Sequence, residues 1–193
     1  MPSVLPGASV CSSAAGRVAG GWASAKSATF GAAGASVMNA APLVEEFAIA
    51  QPPATRPVAD EQTLAPGRTL GIAPFRLTPE FAERHLRDVR EGDPIYAREG
   101  LAHPGTILRM CNWVLAQNVV LGPWVHVGSS LQNFAAARVD DELTVRARVI
   151  DNYERKGHRF VELDALALAN GRTALARITH TAIYRLRQVD AAA

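Results

Sequence analysis

Five histidines, two cysteines and the free amides of one helix start are the groups in this sequence able to do chemistry near neutral pH. His103 stands directly before Pro104-Gly105-Thr106, where proline pre-sets a first helical turn. The first amides of such a helix have no intrahelical partner and lie at the positive end of its dipole. Gly105 N–H and Thr106 N–H are therefore candidate donors to an oxygen gathering negative charge. Gly105 serves equally well as a small residue for close packing beneath a sheet. His103 would lie near anything bound at that turn, or would simply cap the helix. His126 alternates with Val125 and Val127, so if the valines face a core its ring points the other way. His158 and His180 read as structural or exposed. No pairing of histidines and cysteines has metal-ligand spacing, so neither metal nor cofactor is expected. Cys11 and Cys111 are far apart and form no CxxC pair. Cys111 sits in an apolar helical pattern, reads as a small buried hydrophobe, and fits a reducing, cytoplasmic setting.

Length and patterning say what must position these groups. A chain of 193 residues supports one core rather than two. A net charge of +2 without a basic block gives no reason to expect nucleic acid, and no apolar run reaches the roughly 18 residues of a membrane span. Residues 1–41 are rich in Ala, Gly and Ser, with Arg17 and Lys26 as the charges after Met1, and read as an unstructured tail, with Met38 a possible true start. Residues 42–66, with prolines at 52, 53, 57 and 66, read as an extended lead-in to a domain over 67–187, with a short tail over 188–193.

Within that domain the pattern is strand, helix, long helix, then four strands. Thr78-Pro79-Glu80 combines a hydroxyl cap, a first-turn proline and an acid near the positive helix end. Phe81, Ala82, Leu86 and Val89 form its apolar stripe, and Glu91-Gly92-Asp93-Pro94 ends it. The second helix runs from Pro104 to about Asn118 and is apolar on most sides. Beyond Gly122-Pro123 the period becomes two: Leu143, Val145, Ala147 and Val149 share one strand face, and Val161, Leu163, Ala165 and Ala167 another. Lys156-Gly157 and Asn170-Gly171 mark the turns. The economical arrangement is α+β: a curved antiparallel sheet of about five strands around a central buried helix.

Four segments in this order, Gly100–Thr106, Leu121–Val127, Asp140–Val145 and Tyr153–His158, resemble those of the MaoC-like acyl dehydratases and (R)-specific enoyl-CoA hydratases. The resemblance spans about residues 65–187. It implies a single hotdog domain, a homodimer with a continuous sheet, paired here through Trp124–Phe134, and acyl-CoA or acyl carrier protein thioesters as substrates. The implied site lies beside the start of the central helix.

Hydrating a 2-enoyl thioester requires a base for water and donors for the thioester oxygen. The family's Asp and His, spaced as in Glu91-Gly-Asp-Pro-Ile-Tyr96, are replaced here by Glu91 and Tyr96. A phenol is a poor general base at neutral pH, so the usual dyad is absent as such. The expected catalytic residues are Glu91, Tyr96 and Gly105, with His103, Thr106 and His126 binding substrate. Glu91 could also merely end a helix, and Tyr96 be a core aromatic. Alternatives to a hydratase are a non-catalytic acyl-thioester-binding hotdog subunit, favoured by Tyr96, and a hotdog thioesterase.

Overall fold

A computed structural model describes residues 40–187, so the expected tails lie, apart from residues 40 and 41, outside the described residues. Two short strands, β1 (Thr69–Gly71) and β2 (Phe75–Arg76), lead into helices α1 (Pro79–Val89), α2 (Ile95–Glu99) and α3 (Pro104–Asn118). Four longer strands follow: β3 (Val125–Asn133), β4 (Glu142–Arg155), β5 (His158–Ala169) and β6 (Thr173–Arg185). The sheet is antiparallel throughout, in the order β1-β4-β5-β6-β3, with β2 also paired to β4.

Local chemistry accounts for the boundaries. Thr78 caps α1, its hydroxyl accepting from Phe81 N–H at 3.2 Å, and Arg90 stops it in the left-handed region at φ 57°. At the β5–β6 turn Asn170 and Gly171 both have positive φ, 53° and 69°, the conformation of the tight turn that suits the sheet twist. Lys156 and Gly157 repeat it between β4 and β5, at 54° and 77°.

The core lies between α3 and the inner face of the sheet. Ile107, Met110, Cys111, Val114 and Leu115 are buried along α3 against Leu143, Val145, Ala147 and Val149 of β4 and Val161, Leu163, Ala165 and Ala167 of β5. Burial pushes the Cys111 thiol up to about 12, which leaves it protonated and inert. Asn118 at the far end of α3 donates to the Gly71 and Val114 carbonyls at 2.6 and 2.7 Å.

Two expectations are corrected. The apolar stripe of α1 was to include Val89, which is 43% exposed; its one buried residue is His85. Residues 42–66 are mostly irregular but lie on the domain. Leu64 is fully buried in the main core, and a 3-10 turn at Val44–Glu46 brings Phe47 onto Leu166 and Leu168, on the outer face of the sheet. Arg146 fixes this strap by donating to the Val44 and Phe47 carbonyls at 3.1 and 3.2 Å. The strap explains why β5 is buried on both faces beyond Leu163, where a one-sided strand would alternate.

Candidate functional site

The segment from α1 to α3 folds four of the sequence-expected residues into one cluster. After the left-handed Arg90, Glu91 N–H bonds the Leu86 carbonyl at 2.9 Å, so its side chain leaves from the end of α1. Glu91 Oε1 accepts from Asp93 N–H at 2.8 Å, and Asp93 in turn accepts from Ile95 N–H at 2.9 Å, a pair of Asx-type bonds that turns the chain into α2. Tyr96 lies on α2. Gly100, at φ 61°, ends that helix and returns the chain to His103, the N-cap of α3.

His103 is the hub. Its Nδ1 accepts from Gly105 N–H at 3.0 Å, and its Nε2 lies 3.5 Å from Glu91 Oε2. Because Nδ1 is the acceptor, the ring proton belongs on Nε2, directed at the carboxylate. Both side chains keep some exposure, 20% for His103 and 28% for Glu91, so the pair is reachable from solvent. The Tyr96 ring meets the His103 ring edge-on, with centroids 5.0 Å apart. A cleft of about 350 Å³ opens beside the same helix start, lined by Ala102, Pro104, Ile107 and the loop from Asn133 to Ala137.

Both amides expected as free donors are engaged in this structure. Gly105 N–H serves His103 Nδ1, and Thr106 N–H bonds the His103 carbonyl at 2.8 Å, with the Thr106 side chain buried. The reason is local: an imidazole at the N-cap can accept from the first turn as a Ser or Asp oxygen does.

His85 joins this cluster from α1 and was missed in sequence. It is 4% exposed, its ring centroid is 5.6 Å from that of His103, and neither ring nitrogen has a partner among the described residues. Burial, then the neighbouring His103 and Arg109, lower its pKa. The signal available was a polar residue four places after Phe81, on the apolar stripe.

His126 belongs to a second cluster. A bulge between His126 and Gly128 breaks the alternation, placing His126 opposite Ala182 and leaving Val125, His126 and Val127 all exposed. Its Nε2 is 3.0 Å from Ser129 Oγ, which is 3.0 Å from His180 Nδ1, and the two imidazoles stack at 4.6 Å. His180 has no exposed surface, and burial, then His126, brings its pKa down from 6.5 to about 4. Below 6.5 the unfolded chain takes up a proton that the folded chain refuses until about 4. This histidine should therefore cost stability as pH falls through that window, by roughly 3 kcal/mol in all at ~1.4 kcal/mol per unit. Urea midpoints at about pH 7 and about pH 4.5 should show a markedly smaller loss for His180→Leu than for the wild type. Equal losses would assign the acid sensitivity elsewhere.

No family model and no curated protein sequence matches the chain. Solved structures do. The (R)-hydratase from A. caviae involved in PHA biosynthesis is 15% identical, with a TM-score of 0.54, covering 63% of this chain and 98% of that one. The MaoC-like dehydratase from Rhodospirillum rubrum is 17% identical with a TM-score of 0.51, covering 66% and 97%. The C-terminally truncated 3R-hydroxyacyl-ACP dehydratase complex from Mycobacterium tuberculosis is 17% identical with a TM-score of 0.52, covering 61% and 96%. The protein thus has the hotdog fold, in the form shared by MaoC-like dehydratases and (R)-hydratases. No helix among the described residues is long and apolar enough to cross a membrane.

Proposed function

We propose that this hotdog domain catalyses the reversible hydration of a 2-enoyl thioester, carried on coenzyme A or acyl carrier protein, to the 3-hydroxyacyl thioester. The observation that carries the reading is the Glu91 carboxylate, held by Asp93 N–H and facing the Nε2–H of His103 at the start of the buried helix. In that frame Glu91 accepts a proton from water as the oxygen bonds to the third carbon. The electron pair moves onto the thioester oxygen, and the proton then goes to the second carbon as the carbonyl re-forms. His103 fixes the carboxylate, and Tyr96, packed on His103, offers a hydroxyl to water or the carbonyl. The cleft lined by Ala102, Pro104, Ile107 and the following alanines has the apolar character an acyl chain needs.

Among the described residues β3 has one edge unpaired, and its residues are exposed along most of its length. Pairing with the β3 of a second copy gives the homodimer and continuous sheet that fit this reading, in a cytoplasmic setting. The replacement of the family imidazole by Tyr96 favours a second reading, a subunit that binds acyl thioesters without turning them over.

Incubation with crotonyl-CoA and with a saturated acyl-CoA tests both. Hydration predicts loss of enoyl absorbance without thiol release. Thiol release from either substrate would mean a thioesterase, and binding without turnover would leave the binding subunit.

A further inference from the structure

Charge that develops on the thioester oxygen needs hydrogen-bond donors, and the two α3 amides nearest the site both donate to His103. His85 has the missing capacity. Neither of its ring nitrogens has a partner among the described residues, and it is 4% exposed. A Cβ built on Gly105 would lie 3.1 Å from His85 Nε2 and 2.9 Å from His103 Nδ1. The absence of a side chain at Gly105 therefore lets two imidazole nitrogens crowd the N-terminus of a fifteen-residue helix more closely than any Cβ would allow. Packing alone gives no reason for an imidazole there. A leucine or phenylalanine would fill the α1 stripe without burying polar atoms that receive nothing in return.

Building on the hydratase reading, the geometry points to His85 as the carbonyl-binding residue: its Nε2–H donates to a thioester oxygen seated over Gly105, and Gly105 N–H adds a second bond once His103 Nδ1 has left it. His85 Nε2 has no exposed surface, so the oxygen gains it when the His103 ring, the more exposed of the two, swings its Nδ1 off Gly105 N–H while its Nε2 stays on the Glu91 carboxylate. Burial, then the neighbouring His103 and Arg109, hold the His85 pKa down. The ring then acts as a neutral donor that keeps its proton while charge builds on the oxygen, and no covalent bond to His85 forms or breaks. Gly105 is required in this arrangement because a methyl group there would press on both imidazoles and drive them from the helix start.

His85→Phe removes the donor at similar volume, and His85→Gln restores an N–H. Three readouts separate the cases: steady-state hydration of crotonyl-CoA, thermal melting, and the absorbance of bound cinnamoyl-CoA, whose band moves to the red when its carbonyl is polarised. For His85→Phe, kcat should fall about a hundredfold, the size of losing one oxyanion donor, with KM within about threefold. Its melting temperature should hold or rise, since buried polar atoms are removed, and the red shift should shrink. His85→Gln should recover part of both rate and shift. Unchanged kcat and unchanged shift in a folded His85→Phe protein overturn the assignment, as does a glutamine variant no better than phenylalanine. If His85→Phe fails to fold, His85→Leu is read in the same way. Should the wild type bind cinnamoyl-CoA yet hydrate nothing, the hydratase reading fails by itself. The shift then still decides on His85: lost in the variant it supports the carbonyl contact, and retained it overturns it. A wild type that binds no enoyl thioester overturns both.

Discussion

Glu91→Gln should lower hydration turnover by about a hundredfold or more while leaving acyl-thioester affinity nearly unchanged, because it keeps the side chain's shape and removes its ability to take a proton. The local geometry adds a second expectation. Glu91 uses one oxygen for Asp93 N–H at 2.8 Å and turns the other toward His103 Nε2 at 3.5 Å. Glutamine has one acceptor for these two positions. If its carbonyl keeps the Asp93 bond, its NH2 group meets the Nε2–H of His103, donor against donor. His103 cannot relieve this by moving its proton to Nδ1, since Nδ1 already accepts from Gly105. The variant should thus melt slightly lower, while Glu91→Asp, shorter by one methylene, should retain more activity than Gln. Crotonyl-CoA kinetics with a direct affinity measurement checks this, and wild-type turnover in Glu91→Gln would remove Glu91 from the chemistry.

The largest expected effect on stability belongs to Met110→Ala. Met110 has no exposed surface, lies midway along α3, and belongs to the cluster that joins the helix to the sheet. Truncating a fully buried Met typically costs roughly 2–5 kcal/mol, made up of lost transfer energy and the cavity left behind. For a domain of this size that lowers the melting temperature by roughly 5–15 °C. Leu108→Ala, on the half-buried side of the same helix, should cost clearly less. Equal losses at the two positions would show that α3 is not seated on the sheet through Met110.

The parts of the fold legible in the sequence were those with strong local causes. Thr78-Pro79-Glu80 starts α1 because capping and the proline ring act within one turn. Asn170-Gly171 makes its hairpin because few other residues accept positive φ twice running. Helix α3 occupies the expected range from Pro104 to Asn118. What escaped depends on tertiary contacts. Helix α2 has five residues, too few to show a period, and stands between breaker residues on both sides. Phe47 and Leu64 lie in a proline-containing stretch with no periodicity, and their burial is decided by a sheet face far along the chain.

The same division holds at the site. The family resemblance pointed to Glu91 and Tyr96 and the helix start to His103 and Gly105, and the folded chain groups them. The sequence could not tell a free helix amide from one already satisfied, because that depends on the rotamer of the His103 side chain two residues earlier. His85 was passed over since a single histidine in an amphipathic helix is unremarkable until a glycine on another helix lets a second imidazole crowd in beside it.

The β3 edge bears on how the protein behaves at high concentration. Natural edge strands commonly discourage unwanted pairing with lysine, proline or an inward charge. Val125–Asn133 contains no lysine, no proline and no acid, and its outermost residues include Val125 and Val127 at 43% and 51% exposure. Among the described residues no strand covers the outer edge of β3, so a lone copy offers that edge's outward-facing backbone groups to any extended chain that meets it. On the proposed homodimer, solubility is tied to assembly: the composition of this edge does not itself discourage amorphous or fibrillar pairing, and a partner strand would have to.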